Sequence, residues 1–296
     1  LFLIINQLRK EGTAIVYISH RMEEVFAHCD TITVMRDGYA ISSKPTRETN
    51  MEQVVRDMVG RSITEYYPGR TNEPGEIVLE VKNFCQDGLF NNISFKLRKG
   101  EILGVAGLMG AGRTEIMRAL FGVDSCKHGE VYLHGKKVCI KKPEDAIKAG
   151  IGFITENRKS EGLILDFSIS RNIALPSVDT FAKRSVINAK NETAFSEALS
   201  KKLGVKTASI DLEAGALSGG NQQKVVIAKW IGMNPSIIIM DEPTRGIDVG
   251  AKRDIYDLMN ELTSQGVAII MVSSELPEVI GMSDRILVIH EGKIAG

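Results

Sequence analysis

An α/β fold with a mainly parallel core sheet is what the sequence predicts, and three observations carry the prediction. Continuous apolar runs, Ile237 to Met240 and Val267 to Val272, suit strands buried on both faces. Such runs alternate with helix-length segments across residues 76–296, the pattern of a sheet wrapped by helices. The chain also repeats itself: an offset of 254 positions lays residues 1–42 on 255–296 without a gap, with twelve identities in the 42 pairs. Among them are Asn6 with Asn260, Leu8 with Leu262, Gly12 with Gly266, Ser19 with Ser273, Glu24 with Glu278, Asp30 with Asp284 and Gly38 with Gly292.

Each copy reads as a helix end, a Gly stop, an apolar strand (Ala14 to Ser19; Ala268 to Ser273), a short helix, an Asp and a second apolar strand closing at a Gly turn. The expectation is that residues 1–42 are the end of one domain, 43–75 a linker, and 76–296 nearly all of a second, homologous domain. Pro45, Pro68, Gly69, Pro74 and Gly75 punctuate the linker, with a helix expected over Met51 to Val59, closed by Gly60. In the second domain Ile77 to Val81, Ile93 to Leu97 and Ile102 to Ala106 read as strands, followed by a Gly-rich turn and a helix from Arg113. Pro143 and Gly150 bracket a short helix before the strand Ile151 to Ile154. Ala194, Phe195, Ala198, Leu199 and Leu203 mark one face of an amphipathic helix.

With 43% hydrophobic and 25% charged residues, the 296-residue chain lies near the globular average, which argues against a disordered tail protein. Its 37 basic residues balance 37 acidic ones, so no long-range field recruits nucleic acid or an anionic bilayer. No run approaches the roughly 18 apolar residues of a spanning helix, and Leu1 to Ile5 is too short for a secretory signal, so a cytosolic chain is expected. Cys29, Cys85, Cys126 and Cys139 show no CxxC pairing, and Cys126, His128, His134 and Cys139, whose spacing is not a familiar zinc set, read as ordinary strand and turn residues.

Three motifs carry chemistry. The turn Gly107, Leu108, Met109, Gly110, Ala111, Gly112, Arg113, Thr114 fits GxxxxGK[ST] except that Arg113 stands where Lys is expected. Its glycines let successive backbone N–H groups converge on phosphate oxygens, the following helix adds its positive end, and Thr114 offers a hydroxyl to Mg²⁺. In the run LSGGNQQK, Ser218, Gly219 and Gly220 put a hydroxyl and bare amides at a second helix N-terminus. Asp241 and Glu242 end the apolar strand beginning at Ile237; the Asp suits Mg²⁺ and the Glu suits the alignment and deprotonation of a water attacking a γ-phosphate.

The series GLMGAGRT, LSGGNQQK, IIIMDEPTRGIDVGAK and MVSSELPEV resembles the second nucleotide-binding domain of the tandem ATPases that energise bacterial monosaccharide ABC importers of the ribose and galactoside type. The resemblance covers essentially the whole chain. It implies a P-loop fold of the ABC ATPase type, with an antiparallel β portion and a helical subdomain beside the parallel sheet. It makes Gly107 to Thr114 the Walker A motif and puts Leu217, Ser218, Gly219, Gly220, Asn221 and Gln222 in the signature. Asp241 becomes the magnesium residue of Walker B, Glu242 the catalytic glutamate and Asp248 part of the D-loop. The switch histidine falls on His20 in the first copy and on Ser274 in the second, and the Q-loop glutamine on Glu156. Phe84 and Phe90 are weak matches to an adenine-stacking aromatic and read better as core.

ATP and Mg²⁺ are the implied cofactors. The implied partners are membrane permease subunits, indirectly a periplasmic sugar-binding protein, and a second nucleotide-binding domain in head-to-tail pairing, on the cytoplasmic face of the inner membrane. Arg113 for Lys, Glu156 for Gln and Ser274 for His depart from a hydrolytic consensus, and Arg is not a conservative replacement at a tight phosphate cradle. The second-domain site is therefore expected to bind nucleotide better than it hydrolyses it, with His20 serving a first-domain site completed by Ser218 to Gly220. Two other readings stay open: a tandem ABC translation factor, whose linker is typically long and basic where residues 43–75 carry five basic and five acidic groups, and a regulatory nucleotide-binding module without turnover.

Overall fold

Five apolar runs line up side by side in a computed structural model of the chain, which describes residues 2–19, 22–36, 38–59, 67–69, 73–183 and 186–296. The six-stranded core sheet has the order Lys293–Ile294, Arg285–His290, Ile102–Ala106, Ala268–Val272, Ile237–Asp241, Ile151–Ile154. All neighbours are parallel except the terminal hairpin of Arg285–His290 with Lys293–Ile294. Every residue of Ile102–Ala106, Ala268–Val272, Ile237–Asp241 and Ile151–Ile154 is buried, which is why they read as unbroken apolar runs rather than alternating ones. The register sets Asp241 beside Val272 and Val272 beside Val105, so the acidic strand end and the start of the Gly-rich turn lie at the same edge of the sheet.

An antiparallel sheet stands beside this one, in the order Phe90–Arg98, Ile77–Gln86, His128–Leu133, Lys136–Val138. Helices cover the core sheet. Trp230, on Gly219–Ile231, lies against Gly152, where an added Cβ would come within 3.2 Å of its own Cβ, and its ring meets Phe121 edge-on. Ile255, Tyr256, Met259 and Leu262 on Val249–Ser264 form one buried stripe. A helical portion follows Ile154, built from Ile169–Ala174, Val178–Phe181 and Ala189–Lys202. In the last of these the buried positions are Ser196 and Ser200, not the predicted Ala194 and Ala198, which are exposed. Ser196 donates to the carbonyl of Ser170 at 3.0 Å, so a small polar side chain occupies the closest helix approach, while Phe195 and Leu199 flank it and reach Gly232.

The chain divides into two compact units, Leu1–Tyr67 with Asp248–Arg253, and Pro68–Ile247 with Asp254–Gly296. In the first, Thr31–Arg36 and Tyr39–Pro45 pair antiparallel, and Met51–Val59 is helical as expected; Gly60 lies outside the described residues. The expected strand Ala14 to Ser19 does not form. Its counterpart Ala268–Val272 is held between two parallel neighbours, whereas Val16 and Ile18 are over 90% exposed, with no strand paired to them among the described residues of that unit.

A candidate nucleotide site at the end of the core sheet

The Gly-rich turn leaves the strand Ile102–Ala106 and enters the helix Arg113–Phe121. Gly112 precedes that helix at φ 97°, a left-handed conformation that a side chain would strain, and a Cβ on Gly107 would sit 2.4 Å from the carbonyl oxygen of Ile289. The loop is tied internally by the Ala111 N–H to Leu108 at 3.0 Å and externally by the Gly292 N–H to Ala111 at 2.8 Å. Leu108 and Met109 at its tip are exposed.

Behind the loop lie the acidic groups. Asp241 is fully buried, and neither carboxylate oxygen has a hydrogen bond of good geometry. Burial pushes its carboxyl up to about 6, against the opposing pull of the nearby Thr114 hydroxyl. A buried, orphaned carboxylate beside a hydroxyl is a hard-oxygen donor set, so these residues fit a Mg²⁺ ion. Glu242 follows at φ 49°, a strained position for a residue with a side chain, with its N–H on Val272 at 2.8 Å. Its carboxylate takes the Ser274 hydroxyl at 3.1 Å on one oxygen and faces an Arg113 nitrogen at 3.6 Å on the other. Burial raises its pKa, and Ser274 and Arg113 act in the opposite direction. Arg113 is itself buried and donates to the carbonyl of Ser273 at 2.7 Å.

The fold thus brings Gly107–Thr114, Asp241, Glu242 and Ser274 into one cluster. Ser218 to Gln222 lie elsewhere, at the start of Gly219–Ile231. Ser218 is exposed and receives Asn221 Nδ2 at 3.0 Å, and the buried Gln222 donates to Ala214 at 3.3 Å. Leu217 is half-buried, and the neighbours of Gly219 are Arg158 and the carbonyl of Gly246. Gly220 occupies the next helical position. Glu156 pairs with Arg245, while Arg158 donates to the carbonyls of Arg245 at 2.8 Å and Gly246 at 3.0 Å. Asp248 caps the helix Val249–Ser264 through the Ala251 N–H at 2.8 Å. His20 lies outside the described residues. Phe84 and Phe90 are buried and stack at 5.5 Å as core side chains. Thr244 and Ser273, to which the motifs assigned no role, donate to Glu278, whose charge is near enough to push the Glu242 carboxyl up.

A glycine loop between a buried parallel strand and a helix, with a buried Asp and a Glu at the end of the strand two places along the sheet, defines a P-loop nucleotide-binding domain. The ABC transporter family matches residues 90–245, and the chain belongs to that family. Ribose import ATP-binding protein RbsA of Oceanobacillus iheyensis is 60% identical over all 296 residues, and that of Bacillus subtilis strain 168 is 61% identical over the same span. The chain spans about 60% of the length of these curated relatives. Among solved structures, the ADP conformation of MJ1267, an ATP-binding cassette of an ABC transporter, aligns with a TM-score of 0.63 at 22% identity, over 74% of this chain and 90% of that one. The dimeric structure of MJ0796, a bacterial ABC transporter cassette, gives 0.63 at 22%, over 74% and 97%. These likenesses support the fold, a mainly parallel sheet with its antiparallel and helical portions. No helix among the described residues is long and apolar enough to cross a membrane.

Proposed function

We propose that this chain carries the second nucleotide-binding domain of an ATPase subunit that energises import of ribose or a related monosaccharide. The buried Asp241 beside Thr114, its carboxylate oxygens without a hydrogen bond of good geometry, behind a glycine-rich loop, is the observation that carries the nucleotide site. The names of relatives about 60% identical over the whole chain support the sugar. In this reading the amides of Gly107 to Thr114 hold the phosphates of ATP, and Thr114 and Asp241 would hold Mg²⁺, which when bound neutralises charge on the β- and γ-phosphates. Glu242 orients the attacking water and takes its proton. Ser274, a hydroxyl where the resemblance implies His, anchors Glu242 without serving as an acid or base at neutral pH.

Arg113 turned toward Ser273 and Glu242 favours a second-domain site that binds nucleotide more than it turns it over. Residues 1–42 then belong to a first domain whose site, with His20, is completed by Ser218, Gly219 and Gly220 in a head-to-tail pair. Residues 43–75 are its linker. Half-exposed Ile164, Phe167, Leu175 and Leu212 in the helical portion offer an apolar face to permease subunits at the cytoplasmic side of the inner membrane, where a periplasmic sugar-binding protein delivers the solute to the other side.

The test compares Mg·ATP binding and turnover in the chain with those of the intact transporter, together with ribose uptake in cells carrying Asp241→Asn. Tight binding with little steady-state hydrolysis, and impaired uptake, are expected. Turnover by the chain equal to that of the transporter at the same concentration would refute the low-turnover assignment, and unimpaired uptake would refute the energising role.

A further inference from the structure

Behind Glu242 lies a carboxylate that the nucleotide chemistry does not use. Glu278, on the helix Leu276–Met282, is 1% exposed, and three hydroxyls converge on it. Thr244 donates at 2.6 Å and Tyr256 at 2.9 Å to one oxygen, and Ser273 donates to the other. The donors come from three places: the loop after Glu242, the helix Val249–Ser264 and the end of the strand Ala268–Val272. A carboxylate this deeply buried persists only when its oxygens are satisfied, and an apolar side chain would fill the same space at lower cost. Its retention points away from simple filling.

Ser273 is the link to the site. Its hydroxyl donates to Glu278 and accepts from the Glu275 N–H at 3.0 Å, while its carbonyl receives Arg113 at 2.7 Å. The next residue, Ser274, donates to Glu242 at 3.1 Å. The internal repeat pairs Ser19 with Ser273 and Glu24 with Glu278, so both copies keep this serine and glutamate at the same separation.

The geometry points to Glu278 as a positioning residue: through Ser273 it holds Arg113 on one oxygen of Glu242 and Ser274 on the other, and so sets the γ-phosphate end of the site. The role rests on the nucleotide-site reading proposed above. At 1% exposed, Glu278 acts through the Ser273–Ser274 segment and not on the reacting groups themselves.

Glu278→Gln keeps the volume and an acceptor for Thr244 and Tyr256 but turns an amide toward Ser273. Titration of the full chain with Mg·ATP and with Mg·ADP separates positioning from packing. The affinity for ATP is expected to fall about tenfold, the scale of one charge-assisted hydrogen bond, with the affinity for ADP changing much less. Tyr256→Phe removes another donor from the same carboxylate; it is expected to lower the thermal midpoint and leave the ATP-to-ADP ratio unchanged. Parallel losses for both nucleotides that track the midpoint in both variants would overturn the role, as would an unchanged ratio in Glu278→Gln. If the unaltered chain binds neither nucleotide, the nucleotide-site reading fails and the positioning role falls with it.

Discussion

Arg113 donates to the carbonyl of Ser273 at 2.7 Å while its other terminal nitrogen lies 3.6 Å from Glu242, so one guanidinium joins the glycine-rich loop to the strand end that carries Glu242. A compact ammonium cannot hold two acceptors in this fork. Arg113→Met strands a buried carbonyl and leaves Glu242 without its cation, at a cost of about 1.5–3 kcal/mol. Thermal melts at pH 8 without nucleotide are expected to show a midpoint lowered by roughly 3–6 °C for Met, with Arg113→Lys between Met and the parent. Equal midpoints for all three would show that the fork contributes nothing.

Asp241 supplies a pH dependence of defined sign. Its carboxyl titrates near 6 in the fold against an ordinary 3.8, so between those values the folded chain keeps a proton that the unfolded chain has lost. Stability therefore falls as pH rises through that window and is level above about 6. The accumulated cost is on the order of 3 kcal/mol at neutral pH. Asp241→Asn is expected to stabilise the nucleotide-free chain at pH 8, to flatten urea-unfolding stability between pH 4 and 6, and to weaken Mg·ATP binding. Destabilisation at pH 8 would contradict an uncompensated buried charge.

How much of this was legible in the sequence depends on how local the signal is. Ile102–Ala106 and Ile151–Ile154 form as read, because burial on both faces leaves an apolar run that needs no partner to identify. Ala14 to Ser19 carries the same pattern and forms no strand, since a ladder requires neighbours that pattern alone does not report. The helix Ala189–Lys202 was found but its face was not: Ser196 and Ser200 are buried because small side chains permit close helix approach. Arg113, Asp241 and Glu242 sit in contiguous motifs whose chemistry can be read directly. Glu278 and Ser273 lie in the run MVSSELPEV and recur in the repeat, yet neither carried a readable role, because their meeting with Thr244 and Tyr256 joins residues far apart in the chain. The Glu156 pairing with Arg245 is likewise a product of the fold.

Lys229 gives the opposite pH slope from Asp241. Burial lowers its ammonium to about 8 from 10.5, with the Gly162 carbonyl as its hydrogen-bond acceptor. Between about 8 and 10.5 the unfolded chain binds more protons than the fold, so this group makes stability rise with pH across that range and imposes its full cost below it. Lys229→Met keeps most of the aliphatic stem and discards the buried charge, together with the ammonium's place 5.3 Å over the Trp230 ring. Urea unfolding at pH 7, 8, 9 and 10 is expected to show a variant at least as stable as the parent at pH 7, without the rise above pH 8. A variant that keeps the slope would assign it to another group.

Gly292 ties the terminal hairpin to the phosphate loop by backbone alone. Its N–H reaches Ala111 and its carbonyl receives Asn91, both at 2.8 Å, and an added Cβ would lie 2.2 Å from the carbonyl oxygen of Leu89. Gly135, also at positive φ, has nothing within 4 Å of an added Cβ. The two alanine variants therefore separate conformational strain from collision. Gly135→Ala carries only the left-handed term of about 1–2 kcal/mol. Gly292→Ala adds a displacement against rigid backbone that costs about 1–3 kcal/mol more and shifts Ala111 with it. Urea unfolding should rank Gly292→Ala well below Gly135→Ala, and only the former should weaken Mg·ATP binding, because only its turn bonds the loop. If both variants bound nucleotide as the parent does, the hairpin would be a neighbour of the phosphate loop rather than part of what shapes it.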